Sequence, residues 1–201
     1  MRIIGPKNKQ ARRVGIDLGL TTSTAKLQRR LSILPGAHGR KGRRKLSDYA
    51  QRLLEKQKLR LTFGLPERQF RRYYQQAAQT PQATGEVLLK LLERRLDNSL
   101  YRLGFVPTRS AGRQLITHGH VIVNGHKLSI PSYQVQIGDT IALAPKAQAI
   151  PTIKALLEQK NPAIASWFDR KAAVGKVSRL PERADLQIDV NEQLIVEFYS
   201  R

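Results

Sequence analysis

The sequence predicts an α+β protein, with a mainly helical N-terminal domain, short C-terminal strands, and an α-α-β unit between Leu96 and Leu143. Three observations carry this. Leucines recur at helical spacing through 86–103, Val121-Ile-Val123 runs into Asn124-Gly125, the strongest two-residue hairpin signal, and Val174–Leu180 and Leu194–Tyr199 read as short strands.

In chain order, residues 1–45 show little periodicity and are rich in Gly, Thr, Lys and Arg. A run such as Thr21-Thr-Ser-Thr24 buries too little apolar surface to order itself, so this segment reads as a basic tail that orders against RNA. Pro35-Gly-Ala-His-Gly39 is a turn, followed by the cationic cluster Arg40, Lys41, Arg43, Arg44 and Lys45. Ser47 caps a helix from Asp48 to about Leu59, with Leu53 and Leu54 inward and Lys56, Lys58 and Arg60 outward. Pro66-Glu67 opens the next helix, with proline at its favoured N1 place. On it Arg68, Arg71 and Arg72 form one basic stripe, and Phe70, Tyr73, Tyr74 and Ala77 the apolar side. A loop through Thr80-Pro81 and Thr84-Gly85 leads to a leucine-rich helix, Glu86–Arg95, apolar over a broad arc and so central to packing.

Leu96, Leu100 and Leu103 share a helix face, and Gly104 stands where a left-handed residue ends it. Thr108 caps a helix running to about His118, on which Arg109 and Arg113 share a face and Ala111 and Leu115 turn to the core. After the hairpin, Tyr133, Val135 and Ile137 alternate before the Gly138-Asp139 turn and Thr140–Leu143. Pro145 and Pro151 bracket a linker, Ile153–Lys160 is helical, Pro162 ends it, and Trp167-Phe168 are core anchors.

Charge decides between a plain scaffold and a nucleic-acid module. The 201 residues carry a net charge of +21 with pI near 11.0, and 40% hydrophobic residues suffice for a core. A polyanion relieves such self-repulsion, and nucleic acid is the first candidate. Residues 1–74 hold 20 Lys/Arg against 4 Asp/Glu, and the remainder 16 against 11, so the electrostatic footprint is mainly N-terminal. No apolar run approaches a bilayer span, and the first residues lack a signal-peptide core, which argues against membrane and secretion. The absence of cysteine excludes disulfides and thiolate zinc sites and points to a cytoplasmic address.

Three stretches together resemble one family. They are Leu34-Pro-Gly-Ala-His-Gly39 with Lys45-Leu-Ser-Asp-Tyr49, the 86–143 unit with Leu96-Asp-Asn, Arg113-Gln-Leu, His118-Gly-His120 and Val123-Asn-Gly125, and Asp189-Val-Asn-Glu-Gln-Leu-Ile-Val-Glu through Tyr199-Ser-Arg201. The combination is similar to bacterial-type small-subunit ribosomal protein four over essentially the whole chain. The resemblance implies a basic extension (1–45), a helical domain (46–94), and an inserted RNA-binding module (95–155). It implies too that residues 156–201 pack back on the helical domain. It further implies a structural, non-enzymatic protein that binds the five-prime domain of small-subunit (16S-type) rRNA at a multi-helix junction early in ribosome assembly. Its implied seat is the mRNA entry channel, beside small-subunit proteins five and three, with a link to translational fidelity. Carried over by position, the RNA face comprises Arg40, Lys41, Arg43, Arg44 and Lys45, the stripe Arg68, Arg71 and Arg72, and in the module Arg109, Arg113, His118, His120, Asn124 and Lys127. The outward cations Lys56, Lys58 and Arg60 join it. Family members that bind zinc do so through cysteines absent from this chain, so no metal or other cofactor is expected.

His118, His120 and His126 fall within nine residues, but no carboxylate lies between Asp97 and Asp139 to support a metal. No nucleophile elbow, phosphate loop or nucleotide fingerprint occurs, and no carboxylate pair is placed for acid–base work. The central module also occurs in RNA-modifying enzymes of the pseudouridine synthase type and in a heat-shock RNA-binding protein. The first requires a further catalytic domain, for which about sixty residues after Leu143 are short. The second, a free RNA-binding stress factor, differs in associating only transiently with RNA.

Overall fold

The computed structural model describes residues 5–42, 45–159, 163–186 and 189–200. In chain order the first helices are α1 (Lys7–Val14), α2 (Ala25–Gln28), α3 (Asp48–Thr62), α4 (Glu67–Ala78), α5 (Thr84–Glu93), α6 (Leu96–Arg102) and α7 (Arg109–Thr117). Strands β1 (Val121–Val123), β2 (His126–Lys127) and β3 (Thr140–Leu143) follow, then α8 (Pro145–Gln148), α9 (Pro151–Leu157), β4 (Phe168–Lys171), β5 (Val174–Val177) and α10 (Glu192–Tyr199). The chain folds as two units, Met1–Leu88 with Ile188–Arg201, and Leu89–Gln187.

In the first unit the expected caps are in place. Ser47 Oγ accepts from the Ala50 amide at 3.3 Å, and α3 continues three residues beyond its expected end. Pro66 stands at the cap of α4 rather than one place inside it. Two expectations are corrected. The N-terminal segment is folded where described: Ala11 and Val14 of α1, with Leu18 and Leu27, form a small buried cluster that closes on Leu61 of α3. The Arg12 guanidinium donates to the carbonyls of Ile33 (2.9 Å) and Leu34 (3.1 Å), pinning the following turn. A few apolar residues at helical spacing suffice because α3 supplies the other wall.

The second correction is at the C-terminus, where Leu194–Tyr199 is helical. Its alternation of apolar residues fits either period, as short apolar runs do. The cap decides: Asn191 Oδ1 accepts from the amides of Gln193 (3.1 Å) and Leu194 (3.3 Å). Helical spacing then buries Ile195 and stacks Tyr199 on Tyr74, ring centres 4.5 Å apart. Arg52 of α3 donates to Glu197 at 2.8 Å, tying α10 to α3.

The second unit holds a five-stranded antiparallel sheet in the order β2-β1-β3-β5-β4. Asn124, with φ of 50°, and Gly125, with φ of 83°, make the tight turn of the first hairpin as expected. Of the two expected strands, Leu194–Tyr199 packs on α3 as a helix, whereas Val174–Val177 joins the sheet of the second unit. β5 pairs with β3 through Thr140↔Lys176, Ile141↔Gly175 and Ala142↔Val174, and β4 extends the sheet. Once Ile141 and Leu143 are buried, β3 presents an unpaired edge, and the next extended segment satisfies its backbone. The Tyr133–Ile137 alternation yields only a bridge between Gln134 and Arg95, with Val135 buried and Ile137 62% exposed.

The sheet's inner face packs Val121, Val123, Ile141 and Val177 with Leu96 and Leu100 of α6, Leu103 at its C-cap and Ile116 of α7, beside Trp167 and Phe168. Gly104 ends α6 with φ of 68°. Thr108 Oγ1 accepts from the Ala111 amide at 3.3 Å to start α7. Gly112 lets α7 approach α6 closely, since a Cβ there would lie 2.8 Å from the Asp97 carbonyl oxygen. Because that neighbour is backbone, Gly112→Ala is expected to cost about 1–3 kcal/mol. Chemical denaturation checks this, with Ser110→Ala on the exposed side of the same helix as a control that should be near neutral.

Candidate nucleic-acid interface

In the first unit, α4 displays the expected stripe. Arg68, Arg71 and Arg72 are exposed, and no described residue offers their side chains a hydrogen bond or ion pair. They line an open groove with Glu67 and Gln75. Unpaired guanidiniums at i, i+3 and i+4 are suited to phosphates, which accept their planar forks.

The α3 cations behave differently from expectation. Lys56 is buried, its ammonium 2.8 Å from Glu67 Oε1 and 4.3 Å from the centre of the Phe198 ring. Tyr199 donates to the same oxygen at 2.6 Å. Arg60 donates through Nε and Nη2 to Gln57 Oε1, and Lys58 pairs with Glu55 at 2.7 Å. The outward reading of Lys56 is thus corrected: its ammonium lies over the Phe198 and Tyr199 rings of α10, and Glu67 at the start of α4 takes its charge. Lys56 joins α3 to α4 and α10, Arg60 comes within 3.6 Å of Glu67, and Lys58 is held within α3, while the α4 stripe faces solvent.

Lys41 and Lys45 are exposed. Arg43, Arg44 and the side chain of Arg40 lie outside the described residues.

In the second unit a buried polar network lies under α6 and α7. Asp97, 2% exposed, accepts from Arg95 at 3.0 and 2.8 Å and from Arg113 at 3.0 and 2.7 Å. Glu93, fully buried, accepts from Arg102 at 3.0 and 2.7 Å and from Asn98 Nδ2 at 2.6 Å. Arg109 donates to Asn98 Oδ1 at 2.7 Å and its guanidinium carbon sits 4.4 Å from the centre of the Tyr101 ring. Arg109 was expected on the RNA face; it is buried instead, and burial pulls its pKa below the ordinary value despite nearby carboxylates. Arg102 has the opposite balance: burial works against its charge, but Glu93 outweighs that and raises its pKa. Arg113 stays partly open to solvent, aimed by Asp97.

Asn124 is also occupied internally, donating to Asp139 Oδ1 at 2.8 Å and accepting from the Thr140 amide at 2.9 Å. His118 is exposed, His120 is partly exposed with its ring centre 6.2 Å away, and His126 and Lys127 are exposed on β2. Among the described residues no group of three or more His, Cys, Asp or Glu could hold a metal, and no helix is long and apolar enough to cross a membrane.

Glu93, Asp97 and Asn98 are the positioning residues that reading by charge passed over. A signal was present: with no carboxylate between Asp97 and Asp139, Asp97 and Glu93 were the nearest counter-ions for the arginines that follow.

A helical N-terminal unit is followed along the chain by an α-α-β unit that orders arginines around buried carboxylates, and both have counterparts among known protein families. Residues 2–93 match the family model described as the ribosomal protein S4/S9 N-terminal domain, and residues 94–141 match that of the S4 domain. The chain is 49% identical to small ribosomal subunit protein uS4 of Brevibacillus brevis, covering 100% of this chain and 99% of that relative. It is 50% identical to uS4 of Aquifex aeolicus and 48% identical to that of Geobacillus stearothermophilus, with the same coverage in both. The chain belongs to the small ribosomal subunit protein uS4 family.

Two outcomes follow. Removing Asp97 leaves Arg95 buried without its carboxylate, so Asp97→Ala is expected to destabilise the fold by about 3–5 kcal/mol; a denaturation midpoint close to that of the parent would contradict the network's role. The Glu67 pKa lies below its ordinary value: burial works upward, but hydrogen bonds from Lys56 and Tyr199 and the charges of Lys56 and Arg60 outweigh it. A carboxylate so depressed stabilises the fold above its unfolded pKa, and that contribution disappears as pH falls through the folded value. The melting temperature should therefore fall on acidification from about pH 5 towards pH 3, and Glu67→Gln should flatten that limb of the profile.

Proposed function

We propose that this protein is a structural constituent of the small ribosomal subunit that binds the five-prime domain of 16S-type rRNA and carries out no chemistry. The observation that carries the reading is the match to relatives named for that subunit over the whole of this chain, with the two family models covering residues 2–141. The net charge of +21 and the unpaired Arg68, Arg71 and Arg72 support it physically. Lys41, Lys45, Arg113, His118, His120 and Lys127 complete the RNA face on this reading, with Arg40, Arg43 and Arg44 joining from the basic loop. Lys56 in the first unit, and Arg109 and Asn124 in the second, hold their own unit's contacts in shape from within. Early association with a multi-helix junction, a place beside proteins five and three at the mRNA entry channel, an influence on decoding accuracy, and a cytoplasmic ribosomal address follow from family membership as parts of the same proposal. A pseudouridine synthase or a free stress factor is disfavoured, because the relatives share this chain's whole length rather than the module alone.

Replacing Arg68, Arg71 and Arg72 together with Ala is expected to weaken binding to a five-prime-domain rRNA transcript. The slope of log affinity against log salt should shrink by about 2–3, with stability unchanged within about 0.5 kcal/mol. Filter binding across a salt series checks this, alongside co-sedimentation of the full chain with small subunits. An unchanged slope would remove α4 from the interface, and stoichiometric absence from small subunits would end the reading.

A further inference from the structure

The outer face of the five-stranded sheet lies opposite α6 and α7, and the register fixes what it presents. Paired residues in an antiparallel ladder share a face. Lys127 pairs with Ile122, Ile122 with Ala142, Ala142 with Val174, and Val174 with Lys171. This single row crosses all strands. Lys127 and Lys171 stand at its two edges, both exposed, and the middle is apolar, with Val174 42% exposed. A second row runs beside it, Thr140 with Lys176 and Lys176 with Asp169, and adds a further exposed cation. Asp169 is the one carboxylate in the two rows, and no ion pair joins it to Lys176.

The inner residues of the same strands are spoken for. Ile141 and Val177 are buried, and a Cβ on Gly175 would collide with Leu103. So the outer face has no role in this unit's own core. Strands about 4.8 Å apart put the edge lysines roughly 19 Å from each other before twist. A broad, smooth strip with cations on both rims and no aromatic ring is unsuited to stacking unpaired bases. It is suited to the wide, shallow minor groove of A-form RNA, which is read by shape, 2′-hydroxyls and flanking phosphates.

We propose that this sheet face is a second RNA-contact surface that seats the shallow minor groove of a double-helical rRNA segment between Lys127 and Lys171, with Lys176 on a neighbouring phosphate. The inference rests on the rRNA reading above and extends it to residues that reading does not use, Lys171 and Lys176.

The chain has no cysteine, so Val174→Cys carries a tethered iron chelate at one site in the middle of the strip. Hydroxyl radicals released there in the complex with a five-prime-domain transcript should cleave both strands of one helix, with the stagger of a minor-groove source. Cleavage confined to unpaired nucleotides, or none while the transcript stays bound, overturns the proposal and leaves the rRNA reading intact. If the unmodified chain fails to bind the transcript, the rRNA reading falls and takes this one with it. A labelled variant that melts normally yet alone fails to bind supports the proposal, since the label then blocks the face. Independently, replacing Lys127, Lys171 and Lys176 together with Gln should lower the salt slope by about 2–3 without changing the melting temperature. An unchanged slope overturns it.

Discussion

Two carboxylates, Glu93 and Asp97, hold the charge-dense heart of the second unit together. Each is almost wholly withdrawn from water and each is met by guanidinium groups on short, paired hydrogen bonds. In a chain of net charge +21, arginines crowded onto two short helices would drive those helices apart. Asp97 instead gathers Arg95 and Arg113 on one side of α6, and Glu93 gathers Arg102 and, through Asn98, steadies Arg109. Such pairs contribute little net stability against apolar substitutes, but breaking one leaves a buried charge, so they specify one arrangement strongly. The arrangement is what fixes the direction of Arg113.

The same division recurs in the first unit. Glu67 draws Lys56 and Tyr199 inward and joins α3, α4 and α10, while the neighbouring Arg68, Arg71 and Arg72 on the same helix remain unpaired. Scarce acidic residues are therefore used to fix helices, and the surplus positive charge is left at the surface, where a polyanion can neutralise it. Counting cations alone cannot separate these two populations. Distance to a carboxylate across elements does.

Local rules were legible where a single residue type controls the backbone. Gly104, Thr108 and Asn124-Gly125 place the ends of α6, the start of α7 and the first hairpin where short-range chemistry puts them. The leucines of α5 and α6 are buried as their spacing demands. Most of the misses turn on a partner far along the chain. Residues 194–199 look like a strand until Asn191 caps them and α3 offers a groove; residues 174–177 are a strand, but their ladder partner is β3, far back along the chain. The apolar side of α1 is too sparse to read without Leu61 beside it. Lys56 and Arg109 carry the same letters as surface cations, and only tertiary contacts with Glu67 and Asn98 draw them inside.

That pairing of β5 with β3 also changes what the α-α-β unit can do. A three-stranded hairpin sheet would present a narrow outer face ending at Thr140 and Ala142. Addition of β5 and β4 widens it, carries Lys176 and Lys171 onto it, and brings Arg170 to the inner side, where it donates to the carbonyls of Leu103 and Gly104 and lies over Phe105. Arg170 thereby ties the end of α6 to β4, cross-bracing the helices that aim Arg113 against the strands that carry the lysines. A chain that recognises folded RNA by shape gains from that rigidity, because cations held at fixed spacing lose less entropy on meeting phosphates than cations on mobile loops. Sheet extension is in this sense part of the recognition surface and more than a way of closing an edge.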